Sequence, residues 1–261
     1  MERSNWLFGP EAAWFTGEYL DILPAPNIKS SPLSVVKRKF YIAMSSRTGS
    51  TLLSETLIRY GLLVGEYFSL AHVKQMKQRG VQDYGELCSR YAAEHAPNGA
   101  FGAKGTLQML MPLFVAGEFP TGIPQWKFIY VTRLNLVRQA ISIVVAEKTE
   151  AWDSRSKRNR ELSDGDYSAA EIADRMRSIL TGQAWLEFFF ASYRIEPLRL
   201  TFEQIVADPS KVADHVADYC GLARNEEFAR QEETQPLQSQ TTELNLEWER
   251  RFRRDVWTLP L

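Results

Sequence analysis

Cysteine and histidine are scarce: two of the first and three of the second among 261 residues. Cys88 and Cys220 lie far apart and belong to no CxxC pair or Cys/His cluster. They read as structural thiols of a reducing compartment, with a single disulfide as the alternative. An excess of one charge sign is also missing. Lys+Arg is 31 and Asp+Glu is 32, a formal net charge of −1. General nucleic-acid binding needs a surplus of Lys and Arg, so it is not expected, whereas a local cluster for a small anion remains open. No uncharged apolar run approaches about 18 residues, so no membrane span is expected. The opening MERSNWLFGPEAAWF carries Glu2, Arg3 and Glu11 and does not read as a signal peptide, which points to the cytoplasm. Repeats of solenoid period are absent. What remains is 44% hydrophobic and 24% charged, the balance of a globular chain with a sizeable core.

Residues 1–38 are turn-rich, broken by Pro24, Pro26 and Pro32, and read as an N-terminal arm packed on a domain of residues 39–261. Phe40-Tyr41-Ile42-Ala43-Met44 reads as a buried strand. A polar turn follows, and then Leu53, Leu57 and Tyr60 recur at helical spacing up to Gly61. A second unit of this kind occupies 127–148. Its strand is Phe128 to Thr132, its turn Arg133-Leu134-Asn135 with Asn135 as N-cap, and its helical stripe Val137, Ala140, Ile141 and Val144. A long helix with the stripe Ile172, Met176, Ile179, Leu180 and Ala184 precedes a third strand, Leu198 to Phe202. A later helix carries Val212, Val216, Tyr219 and Cys220. Strands alternating with helices predict an α/β fold, a three-layer sandwich around a central, mostly parallel sheet. The polar stretch 153–168 crowds Arg155, Lys157, Arg158 and Arg160. It reads as a solvated loop or as a flap over a cleft.

The first turn, Ser45-Ser46-Arg47-Thr48-Gly49-Ser50-Thr51, joins a strand to a helix. Unpaired N–H groups at the helix start, hydroxyls, an Arg and a Gly that lets backbone come close together make an anion cradle. The plain alternative is a turn that only caps its helix. A nucleoside-triphosphate loop would read GxxxxGK followed by Ser or Thr, and here the first Gly and the Lys are missing. No Asp is assignable to Mg²⁺, so a P-loop kinase or hydrolase is disfavoured, and the cradle suits an anion handled without a metal.

Five blocks, in order, carry a resemblance. SSRTGSTLLSETL is similar to the 5′-phosphosulfate loop of sulfotransferases, most closely the Stf0-type family of bacterial trehalose sulfotransferases. Glu66-Tyr67-Phe68 resembles that family's acidic-aromatic block. Phe101-Gly102-Ala103-Lys104 resembles its Gly-x-Lys strand, and TRLNLVRQAIS (132–142) its 3′-phosphate block. WERRFRRD (248–255) resembles its closing motif. The resemblance implies a P-loop NTPase-like sulfotransferase fold. It also implies a co-substrate, 3′-phosphoadenosine 5′-phosphosulfate (PAPS), that leaves as 3′,5′-ADP, with no metal.

By the same resemblance Ser46, Arg47, Thr48, Gly49, Ser50 and Thr51 would hold the 5′-phosphosulfate. Arg133 and Ser142 would hold the 3′-phosphate, with Arg138 and Arg251 as further candidates. Surface salt bridges are the plain reading of those arginines. Arg47 and Lys104 would place positive charge near the transferring group. Glu66 would be the general base, a carboxylate partly desolvated by Tyr67 and Phe68, since His72, His95 and His215 fall in no matching block. Tyr67, Phe68 and Trp152 would form a sugar platform, where core packing is the alternative. The acceptor would be a hydroxyl of a carbohydrate or glycolipid, trehalose-like, and the family implies a homodimer. A catalytically silent anion-binding module of the same fold is the competing class.

Overall fold

The computed structural model describes residues 17–27, 32–96, 98–224 and 240–258. From Phe40 to Met44 the chain is free of charge, so both of its faces can be buried. It forms strand β1, Arg38–Met44, with Phe40, Ile42 and Met44 packed into one cluster and Tyr41 and Ala43 into another. Helix α1 (Ser50–Thr56) follows and tightens into a single 3-10 turn, Leu57–Tyr60, which ends at Gly61 with φ 72°. Then come β2 (Val64–Gly65), α2 (Leu70–Gln78), α3 (Tyr84–His95), β3 (Ala100–Gly105), α4 (Met111–Val115) and β4 (Trp126–Thr132). The chain continues through α5 (Leu136–Thr149), α6 (Ala169–Ser192), β5 (Leu198–Thr201), α7 (Phe202–Ala207), α8 (Pro209–Cys220) and α9 (Glu243–Thr258). Six helix starts are capped by the expected residue types. Ser69, Asp83, Asn135, Ser168, Thr201 and Asp208 each accept from the backbone N–H three positions on.

The sheet runs β2-β3-β1-β4-β5, and every neighbouring pair is parallel. Against one face lie α1, α7 and α8, through Leu53, Ile205, Val216 and Cys220. Against the other lie α2, α3, α4 and the C-terminal half of α6, through Val73, Leu87, Leu113 and Phe189. The predicted three layers are therefore present. β1 sits at the centre with β3 on one side and β4 on the other. That reversal of strand order opens a crevice at the carboxyl ends of the strands. Gly102 makes the close fit of β3 to β1 possible: a Cβ there would fall 2.1 Å from Phe40 Cζ.

Two expectations shift. Phe202 does not extend the third predicted strand. Thr201 and Gln204 form a reciprocal capping box, so the strand stops at Thr201 and Phe202 opens α7. Leu180, placed in the buried stripe of α6, is 51% exposed, and the stripe runs through Ile172, Ile179, Leu186 and Phe189 instead. Cys88 and Cys220 are both buried free thiols. Burial pushes the Cys220 thiol up to about 12, where it is inert.

The described part of the N-terminal segment is built into the core. Tyr19, Ile22, Leu23, Leu33 and Val36 are buried with α2 and α3. Tyr19 Oη donates to the Phe68 carbonyl at 2.6 Å, and Tyr84 Oη donates to the Tyr19 carbonyl at 2.6 Å. Leu23→Ala should therefore cost about 2–5 kcal/mol of unfolding free energy, the range for a buried Leu truncated in a packed core. Urea denaturation measures it, and a loss below about 0.5 kcal/mol would mean that this segment only rests on the domain.

Candidate functional site

The loops that leave β1 and β4 emerge side by side, because the two strands are paired from Lys39↔Trp126 to Met44↔Val131. In the first loop Arg47 and Gly49 both lie in the left-handed region, at φ 67° and 78°. For a residue with a Cβ that conformation costs about 1–2 kcal/mol, so neighbours must hold it. Gln139, fully buried on α5, donates its side-chain amide to Ser45 Oγ at 2.9 Å and to the Ser46 carbonyl at 2.8 Å. Arg133 Nη1 donates to the Arg47 carbonyl at 3.3 Å, and Thr48 Oγ1 ties back to the Ser45 carbonyl at 3.0 Å.

The second loop, Arg133-Leu134-Asn135, is pinned from α7. The Glu203 carboxylate accepts from the Leu134 N–H at 3.1 Å and the Asn135 N–H at 3.4 Å. Asn135 caps α5 as expected and also donates Nδ2 to Glu249 Oε1 at 3.0 Å. The Arg133 guanidinium lies 4.1 Å over the Phe202 ring, and its buried Nε has no partner among the described residues. Burial lowers the Arg133 pKa to about 10. Arg47 and Arg138 push it the same way, and Glu203 and Glu249 pull it back.

Arg47 spans the gap between the loops. Its Nε donates to Ser142 Oγ at 2.8 Å, Nη1 to the Trp152 carbonyl, and Nη2 to Gln240 Oε1. Burial lowers its pKa, with Asp153 acting in the opposite direction. The loops thus share one cleft of about 820 Å³, to which Arg47, Arg133 and Arg138 contribute and which Trp152 and Gln240 rim. Crowded guanidiniums with an unpaired donor among them have the chemistry to hold an anion.

At the other end of the cleft, strand alternation decides where Lys104 points. It pairs with Ile42 in register and so faces α1, where its Nζ donates to Thr51 Oγ1 at 2.9 Å. Lys104 is therefore buried rather than an exposed lysine at a strand end. Burial lowers its pKa, and Glu66 and Glu55 act to raise it. β2 pairs Val64 with Gly102 and Gly65 with Ala103, so the next residue, Glu66, arrives beside Lys104, with Oε1 3.7 Å from Nζ. The Glu66 side chain is 39% exposed and lines the cleft.

Ser46, Arg47, Gly49, Ser50, Thr51, Glu66, Arg133, Arg138, Ser142 and Trp152 are thus gathered on one cleft, and Lys104 stands immediately behind Glu66. Four expected residues go elsewhere. Thr48 is fully buried and closes its own turn. Phe68 is fully buried in the core against Tyr91 and Phe101, and so presents no face to a sugar. Tyr67 turns to α3, stacks on His95 at 4.2 Å and donates to the Leu63 carbonyl at 2.7 Å. Arg251 lies 4.1 Å over Tyr167, outside the cleft lining. The aromatic contacts of Tyr67 and Phe68 lie away from Glu66, and its carboxylate stays half open to solvent. Sequence reasoning missed Gln139, Glu203, Gln240 and Glu249. Gln139 stood inside a quoted block and Glu203 inside the Thr-Phe-Glu-Gln capping pattern, while Gln240 carries no local signal. Among the described residues no cluster of three His, Cys, Asp or Glu is placed to hold a metal ion, and no helix is long and apolar enough to cross a membrane.

Residues 118–255 match the family model described as Stf0 sulphotransferase. No curated protein sequence matches the chain. Among solved structures, retinol dehydratase in a complex with retinol and PAP is similar at 13% identity and a TM-score of 0.45, with 97% of each chain covered. Retinol dehydratase with androsterone and the inactive cofactor PAP is similar at 13% identity and 0.43, with 97% of this chain and 96% of that one covered.

The first loop gives a direct test of its geometry. Gly49 needs a left-handed φ, and a Cβ there would sit 3.0 Å from Phe202 Cδ2. Gly49→Ala should cost about 1–2 kcal/mol. It should also disturb the ring on which Arg133 rests. Thermal unfolding at unchanged midpoint would show that the loop does not need this conformation.

Proposed function

The chain belongs to the Stf0 sulphotransferase family, so it is a sulfotransferase, and from the arginines of its cleft and the family resemblance we propose that PAPS is the donor and a carbohydrate-type hydroxyl the acceptor. One observation carries the donor assignment. Two arginine-bearing turns, far apart in sequence, meet on one cleft, joined by the Arg47–Ser142 hydrogen bond of 2.8 Å and the Arg133–Arg47 hydrogen bond of 3.3 Å. A ligand with anionic groups at both ends of a ribose needs two such sites. The orphaned Nε of half-buried Arg133 fits the 3′-phosphate, together with Ser142 and Arg138. Ser46, Gly49, Ser50, Thr51 and Arg47 fit the 5′-phosphosulfate, where Arg offers a planar fork in place of a lysine.

Transfer is a single in-line displacement. The acceptor oxygen bonds to sulfur as the bond from sulfur to the bridging phosphate oxygen breaks. Glu66 takes the acceptor proton, and the electron pair stays on 3′,5′-ADP. Donors of the first turn face the oxygen on which that charge grows. Lys104, held by Thr51, stands beside Glu66 and helps to place its carboxylate. The half-exposed Trp152 on the rim offers an indole face to a sugar. Trehalose is the acceptor type that the family resemblance brings. Two free, buried thiols support a reducing, cytoplasmic setting, and the homodimer of the resemblance belongs to the same reading.

Radiolabelled PAPS with a panel of disaccharides and glycolipids tests the reaction. Glu66→Gln should lower kcat by about 10²–10⁴, the contribution of a positioned base. Its affinity for 3′,5′-ADP should be unchanged; transfer at the wild-type rate would remove Glu66 from the mechanism.

Arg133→Ala should weaken 3′,5′-ADP by about 2–5 kcal/mol and 5′-AMP far less; equal weakening would count against the 3′-phosphate assignment.

A further inference from the structure

Glu249 is a carboxylate beside a site built for anions, and its geometry gives it a use. We infer that Glu249 on α9 is a positioning residue for the 3′-phosphate, aiming Arg138 into the cleft and locking the start of α5. The inference rests on the reading of Arg138 as a 3′-phosphate ligand. Arg138 lines the cleft and at the same time gives its Nε to Glu249 Oε2 at 2.5 Å. With Nε committed behind it, the two terminal nitrogens are the part of the fork available to an anion. The other carboxylate oxygen accepts from Asn135 Nδ2 at 3.0 Å, and Asn135 Oδ1 caps the same helix through the Arg138 N–H at 3.0 Å. One carboxylate thus fixes both the backbone and the side chain of the arginine.

Glu249 is itself held. Arg253, one turn on, donates to Oε1 at 2.9 Å. Trp248, the preceding residue, is fully buried among residues of α5 and α6 and anchors α9 against them. The Glu249 side chain is only 10% exposed. Burial raises its pKa, but hydrogen bonds from Arg138, Asn135 and Arg253 outweigh that and hold it at about 2, so the charge is permanent at any working pH. The arrangement also limits repulsion in the empty cleft. Arg47, Arg133 and Arg138 converge there, and Glu249 offsets the outermost of them without entering the cleft, so Arg133 keeps its unpaired donor.

A double-mutant cycle on the full chain tests this, with calorimetric binding of 3′,5′-ADP and 5′-AMP and with steady-state PAPS kinetics. Glu249→Gln should weaken 3′,5′-ADP roughly fivefold to fiftyfold and leave 5′-AMP unchanged. It should raise KM for PAPS at constant kcat, and in the Arg138→Ala background it should cost clearly less than in the wild type. Arg253→Ala, which removes only one of the donors to Oε1 and leaves Arg138 and Asn135 on Glu249, should weaken 3′,5′-ADP less than Glu249→Gln does. Should Glu249→Gln not fold, Glu249→Asp keeps the charge on a shorter arm and should give an intermediate loss of 3′,5′-ADP affinity. Additive losses in the cycle, equal losses for the two nucleotides, or a loss in Arg253→Ala matching that of Glu249→Gln would each overturn the inference. An Arg138→Ala protein with full 3′,5′-ADP affinity would refute the underlying ligand assignment, and a wild-type protein that binds no 3′,5′-ADP would refute the donor reading as a whole.

Discussion

Arg47 gives its Nε to Ser142 while its own carbonyl accepts from Arg133, so the first loop and the second are locked to each other across the sheet edge. The rest of the cleft depends on that lock. β1 and β4 bring the loops near, yet pairing of strands alone leaves loop conformations open. The left-handed backbone at Arg47 is unfavourable by itself and persists because Gln139 and Arg133 hold the carbonyls on either side of it. Like charges are forced together in the process. Fold stability, drawn from the two clusters that flank the sheet, carries the cost of a crowded cationic cleft.

α5 ties these demands together. From one helix, Gln139 reaches the first loop, Ser142 reaches Arg47, and Arg138 reaches the cleft rim. Residues 138, 139 and 142 lie within about one helical turn and therefore fan out over neighbouring directions. A helix placed directly after β4 starts beside the second loop and also runs past the first. Glu203 from α7 and Glu249 from α9 then hold the start of that helix from two sides.

Much of this was legible in the sequence. The uncharged run Phe40–Met44 announces a strand buried on both faces, and the polar turn ending in Gly49 announces a strand-to-helix cradle. Asn135 was readable as a cap because cap chemistry is local. Residues whose role depends on distant partners were not. Phe68 and Tyr67 follow Glu66 directly, but whether a ring faces a cleft or a core is set by what α3 and β3 bring to it, and that is tertiary information. Leu180 fits the helical period and is nevertheless exposed, because the packed face of α6 runs through its neighbour Ile179, and Leu180 lies about 100° further round the helix. Gln240 contacts Arg47 across 193 positions, a separation at which no spacing rule operates.

The commitment of Arg47 has a thermodynamic side. A guanidinium carries five N–H donors, and three of those of Arg47 are engaged by Ser142, Trp152 and Gln240. One hydrogen on each terminal nitrogen is left over. A long side chain that must be frozen during association loses up to about 2 kcal/mol of rotamer entropy at that moment. Here the freezing happens during folding, so a charged visitor would meet a rigid fork, and its affinity would not be diluted by ordering its host.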